Sequence, residues 1–180
     1  MPEITEKELP PNIKPIWLKA LTAVQTSNHA YGISLLQAVL KDCPGFLDGR
    51  KMLRNCEFQL AGNTKKKAGL FGMSGGGMGI MKLQSAAKKD PAGTLPLIEK
   101  ELEKDPYNDQ ANDLLFDTCL KLELFETAAF ALETIRKGSP ENAKLLHKLA
   151  TFYLSRDHPQ VAAEVYNDII KHHPTDGPAI

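Results

Sequence analysis

Apolar residues in the last third of the chain recur at steps of three and four. Leu145, Leu146, Leu149, Ala150, Tyr153 and Leu154 form one stripe, and Val161, Ala162, Val165, Tyr166, Ile169 and Ile170 form a second. This is the 3.6-residue period of an amphipathic helix, not the two-residue alternation of a strand. Between the stripes, Ser155-Arg156-Asp157-His158-Pro159 predicts a short turn. Its proline opens the second helix, where a missing N–H costs nothing. The same plan precedes it, with helices expected over 109–122 and 125–137 and Gly138 as the helix stop.

The two units stand in one register. Pro106, Pro140 and Pro174 are 34 residues apart, each two residues before Asn108, Asn142 or Asp176. At the same offset Leu115 meets Leu149, Ala128 meets Ala162, Leu132 meets Tyr166 and Ile135 meets Ile169. A fixed period of this length predicts stacked supersecondary units, each burying its apolar face against the next. Upstream, 15–41 carries two further stripes, Ile16, Ala20 and Ala23, then Ile33, Leu36, Val39 and Leu40, and reads as a degenerate first unit. A helix over 46–60 lacks an immediate partner, which 95–104 supplies through Leu95, Ile98 and Leu102. A segment of about 30 residues, 62–91, is thereby inserted into the second unit. The expected fold is all-α, about four helical hairpins over 13–180 with the clearest repeats at 109–142 and 143–176. An extended arm, 1–12, precedes them.

Leu149-Ala150, Tyr153, Ala162, Tyr166 and Pro174, together with the 34-residue period, resemble the tetratricopeptide repeat. The preceding unit carries Leu115-Phe116, Cys119, Ala128, Leu132 and Pro140 in those places. The resemblance implies a right-handed solenoid whose first helices line a concave groove that holds a peptide or protein segment. One subgroup of such repeats grips a C-terminal carboxylate there. In that register Lys51 and Asn55 occupy the first repeat's clamp positions and Lys144 and Lys148 the third's, while the middle asparagine falls on Leu114. A solvated lysine face is the alternative reading.

Composition narrows the classes. The 180 residues are 42% hydrophobic, 24% charged and 7% aromatic, which excludes a wholly disordered, collagenous or disulfide-scaffold chain. Lys plus Arg and Asp plus Glu both total 22, so no global field favours nucleic acid as a partner. The balance hides two opposed patches. Residues 58–89 hold six lysines and no acid, and 99–126 hold nine acids against three lysines. Cys43, Cys56 and Cys119 are widely spaced with no CxxC pair, the start is acidic and polar, and no run of 18 apolar residues occurs. A reducing, cytoplasmic setting is expected.

Candidate chemistry is sparse. Gly72-Met73-Ser74-Gly75-Gly76 matches G-x-S-x-G formally, but no strand precedes it, and Gly77-Met78-Gly79 lacks the Lys-Ser/Thr of a phosphate loop. Lys65, Lys66 and Lys67 followed by Leu70, Phe71 and Met73 suit contact with an acidic partner or, weakly, a membrane surface. Glycine density there predicts no rigid helix before about residue 80. His172-His173 is a helix-end pair, and His29, His147 and His158 are scattered, so no metal site is expected. The chain stops six residues past Pro174, so Tyr153, Val165, Tyr166 and Ile169 are expected to lack cover and to meet a second copy, a partner or further chain. The reading is a non-catalytic scaffold without cofactor that binds a peptide or protein. The alternative is a membrane-surface or self-association adaptor acting through the basic insertion.

Overall fold

A computed structural model of the chain describes residues 2–62 and 76–179. The described residues are mainly helical and contain no sheet, only an isolated bridge between Ile4 and Phe46, in keeping with the three-and-four spacing of their apolar positions. Three helices, α1 (Lys14–Gln25), α2 (His29–Asp42) and α3 (Leu47–Ala61), precede the undescribed segment. Six follow: α4 (Gly76–Lys89), α5 (Pro91–Lys104), α6 (Asp109–Lys121), α7 (Phe125–Gly138), α8 (Ala143–Ser155) and α9 (Pro159–His172). The helices pack on their sequence neighbours from α1 to α3 and from α4 to α9; α2 also touches α5, and α4 touches α6.

The helix bounds themselves repeat. α5, α7 and α9 begin at Pro91, Phe125 and Pro159 and end at Lys104, Gly138 and His172, each 34 residues after the last. α6 and α8 keep the same offset at both ends. Local chemistry repeats with them. Asn108 and Asn142 cap α6 and α8 by accepting from Ala111 N at 2.8 Å and Leu145 N at 3.2 Å. Asp176, one period on, accepts from Ala179 N at 3.2 Å and opens a single 3-10 turn, Gly177–Ala179. Glu123 and Asp157 both turn the chain at φ 60° between the helices of a pair.

The segment read as an insertion therefore contributes a helix to the repeat. α4 starts at Gly76, earlier than glycine content predicted, and pairs with α5. The expected pairing of 46–60 with 95–104 is replaced by this hairpin, and α3 packs on α2 instead. Burial on the repeat side, at Ile80 and Ala87, outweighs the intrinsic cost of glycine.

Two separate apolar cores result. One is built from Leu9, Ile13, Trp17, Leu36, Phe46 and Leu53, with Trp17 set edge-on to Phe46 at 4.8 Å; the other runs continuously from Ile80 to Ala179.

The N-terminal arm is not free. Leu9 and Ile13 are core residues, Glu6–Glu8 forms a 3-10 turn, and Ile4 N donates to Gly45 O at 2.9 Å. A Cβ on Gly45 would meet Pro2 O at 2.2 Å, so the close approach requires glycine there. Glu3 then reaches α7, where its carboxylate accepts from Thr127 N at 2.6 Å, Glu126 N at 3.1 Å and Thr127 Oγ1 at 2.9 Å. It satisfies the helix N-terminus that Leu124 leaves without a side-chain cap.

The apolar residues of the last two helices are covered more fully than expected. Val165 and Ile169 are fully buried, and Tyr153 and Tyr166 half-buried, within the chain itself. α9 presents Gln160, Glu164, Asn167 and Lys171 outward, and the turn bearing Ala179 packs on it. Gly138 has a different duty from the one assigned to it. α7 runs through it to Ser139, and a Cβ there would meet Tyr107 Cδ1 at 2.2 Å.

Candidate binding cleft

The two cores are joined by charge. On α3, Arg50, Arg54 and Glu57 stand at steps of four and three, which places them on one face beside Leu47. That face looks toward α5, where Glu99 sits among Leu95, Ile98 and Leu102. Arg50 Nε donates to Glu99 Oε1 at 2.8 Å, and Arg54 Nη2 donates to Glu99 Oε2 at 2.8 Å. Arg54 Nη1 also donates to Glu57, and Arg50 Nη1 to Pro44 O at 2.8 Å. All four side chains are buried. Long charged side chains thus join α3 to α5. Beside this network Phe58 stacks on Tyr107 at 4.4 Å.

Burial sets the protonation states. It pushes the Glu57 carboxyl up to about 7, against the pull of Arg54 and with a further push from Glu99. Burial also raises Glu99, but Arg54 and Arg50 outweigh it and hold that carboxyl below its ordinary value. Cys119 is pushed up to about 12, chiefly by burial, and all three cysteines are buried and unbridged. None is an activated thiolate.

A cleft of about 490 Å³ opens above the network, between the C-terminal half of α2 and the N-terminal half of α5. Its walls include Ala38, Leu40, Leu95, Pro96 and Leu97, its rim Lys41 and Lys100, and Arg50 contributes to its lining. Pro96 and Leu97 are accessible while Arg50 is fully buried. Arg50 Nη2 has no hydrogen-bond partner among the described residues. An unmet donor on a buried cation is costly, and a cleft lined by it is suited to an oxygen acceptor.

The clamp positions named from the tetratricopeptide resemblance lie on α3, α6 and α8. Lys51 and Asn55 lie exposed on α3, and Lys144 is exposed on α8. Lys148 is engaged within the chain. Its Nζ donates to Asp113 at 2.5 Å and pairs with Asp117 at 2.6 Å, over the Phe116 ring. Burial lowers its affinity for a proton, but the bonds to Asp113 and Asp117 outweigh that and raise it. Leu114 is buried. Lys65, Lys66, Lys67, Leu70, Phe71 and Met73 lie outside the described residues, as does Ser74 of the G-x-S-x-G match.

His147 meets both oxygens of Asp176 at 3.0 Å, and His173 Nε2 lies 2.7 Å from Glu141 O. Among the described residues no group of three or more His, Cys, Asp or Glu could hold a metal ion, and no helix is long and apolar enough to cross a membrane. The buried network was missed by sequence reasoning. Its signal was present as a charged stripe at helical spacing, Arg50, Arg54 and Glu57, adjoining the apolar positions Leu53 and Cys56. Compared with protein-family models and with curated proteins, the chain matches none.

Proposed function

We propose that the chain is a tetratricopeptide-like array that acts as a non-catalytic scaffold, holding a peptide or protein segment against its helices. The 34-residue recurrence of helix bounds, caps and turns supports the repeat reading, and the right-handed course of the solenoid belongs to the same proposal. The observation that carries the binding reading is the α2–α5 cleft, apolar-walled, cation-rimmed and set where two cores meet. Its volume lies in the range of sites that enclose a few side chains. The bound segment lies across α2 and α5 rather than across the α3 and α8 lysines.

Site-specific photo-cross-linking tests this. A benzophenone side chain at Leu97, on the cleft rim, captures one defined partner from native lysate, and the same group at Asn167 on the outer face of α9 does not. Ala38→Trp, which fills the cleft from an exposed position, abolishes that capture. Equal capture from both positions, or capture that survives Ala38→Trp, rejects the reading.

A further inference from the structure

We propose that the α2–α5 cleft recognises an acidic side chain flanked by apolar residues on a partner protein, with the carboxylate received by Arg50 Nη2. The proposal rests on the scaffold reading above and adds the chemistry of its ligand.

Charge complementarity selects the acid. Lys41, Arg50 and Lys100 all line the cleft, against one acid, Glu99. Both oxygens of Glu99 are engaged, one by Arg50 and one by Arg54. Lys100 is paired with Glu103 at 3.0 Å on the exposed side, Gln37 donates to the same Glu103 at 2.7 Å, and Arg50 is paired with Glu99, which leaves Lys41 as the lining cation without a carboxylate among the described residues and Arg50 Nη2 as a buried donor without a partner. A guanidinium offers five N–H donors in a planar fork. Arg50 uses Nε for Glu99 and Nη1 for Pro44 O, so the unengaged Nη2 belongs to a side chain already locked in place. A donor fixed in this way binds a carboxylate without further ordering of its own side chain.

The walls select the neighbours. Ala38, Leu40, Leu95, Pro96 and Leu97 give no polar partner to a ligand backbone or to a second charge, so the groups beside the acid are apolar. Glu57 strengthens the preference. Its carboxyl, pushed up to about 7 mainly by burial, is partly protonated near neutrality, and the two guanidiniums of the network are then not fully balanced by Glu57 and Glu99.

The test is leucine-methyl NMR of the full chain titrated with the peptide acetyl-Leu-Glu-Leu-amide. Saturable shifts are expected at Leu40, Leu95 and Leu97, and acetyl-Leu-Gln-Leu-amide binds about tenfold or more weakly, the loss expected for one charge-assisted hydrogen bond. Ala38→Trp removes the shifts while leaving the remaining spectrum in place. Arg50→Lys keeps the charge, loses Nη2 and gives equal affinity for the two peptides; if that variant does not fold, the peptide pair and Ala38→Trp still decide. Affinities for the Glu and Gln peptides within about twofold, or no saturable shift at these leucines, overturn the proposal. Hexanoate binding as tightly as the Glu peptide overturns it too, and assigns the cleft to a small amphiphile. Partner capture at Leu97 without a preference for Glu removes this inference and leaves the scaffold reading standing.

Discussion

The two halves of the molecule hold together by different physics. From α4 to α9 one apolar core runs through three hairpins, and the neighbours meet through small and aliphatic side chains such as Ala128, Ala162, Leu115 and Leu149. Such contact is non-directional and grows with area, so each interface resembles the next. The α1–α3 unit has a core of its own and joins the repeat through the α2–α5 contact with its Gln37–Glu103 bond, through Arg50, Arg54, Glu57 and Glu99, and through the Phe58–Tyr107 stack and the Glu3 strap. A junction made of directed bonds fails when one member is lost, because the remaining charge stays buried. The repeat is graded in its response, and the junction is all-or-none.

The largest effect is expected at the junction. Glu99→Ala leaves Arg50 without its acid and costs about 3–5 kcal/mol, the range for breaking a buried pair from one side. Trp17, the sole tryptophan, is buried in the α1–α3 core and reports that unit alone. The urea midpoint by Trp17 fluorescence falls below the midpoint by far-ultraviolet circular dichroism. Coincident midpoints would show that the two cores unfold as one.

Next comes the repeat. Ala162 is buried where α9 crosses its neighbour, and Ala162→Leu costs about 1–3 kcal/mol through overpacking. The loss shows in the circular dichroism midpoint, with the Trp17 signal little changed. A shift carried mainly by Trp17 contradicts the division into two cores.

A smaller effect belongs to the strap. Glu3→Ala removes the cap of α7 and costs about 1 kcal/mol, while Glu3→Gln, which keeps an acceptor oxygen, costs less. Amide hydrogen exchange at Glu126 and Thr127 is the measurement, and unchanged protection in Glu3→Ala excludes the strap.

A pH slope is expected as well, to which Glu57 and Glu99 contribute in different windows because they shift in opposite directions. The folded-state value of Glu57 lies above its ordinary 4.5, at about 7. Its contribution is therefore present at low pH and is lost as pH rises through about 7. Glu99 is held low, so its contribution is present at neutral pH and is lost in acid. Of these two carboxyls only Glu57 is active between about pH 5 and 7, and Glu57→Gln reduces the slope of the urea midpoint across that window. A slope unchanged by the substitution assigns it elsewhere.

The repeat was legible in the sequence to the extent that its determinants are local. Helical stripes, N-caps at Asn108 and Asn142, and a proline at the start of α9 act within one or two turns of chain. α4 was misread because its glycines, Gly76, Gly77 and Gly79, argue against helix by propensity, and packing on α5 and α6 overrides that. The cleft was not legible. Arg50 and Glu99 are 49 residues apart, and the sequence shows each only as a charge on an apolar stripe.

By itself the sequence determined an all-helical chain and its 34-residue period. Each of these follows from side-chain periodicity and short-range hydrogen bonds. Only the tertiary structure decided that α3 would pack on α2 and leave α5 to α4, that Glu3 would cap a helix 124 residues away, and that four charges would be buried together beside a cleft. Those outcomes depend on which surfaces meet once the helices exist. A charged side chain on an apolar stripe is unfavourable until its partner arrives from elsewhere in the chain, and only the assembled fold brings the two together.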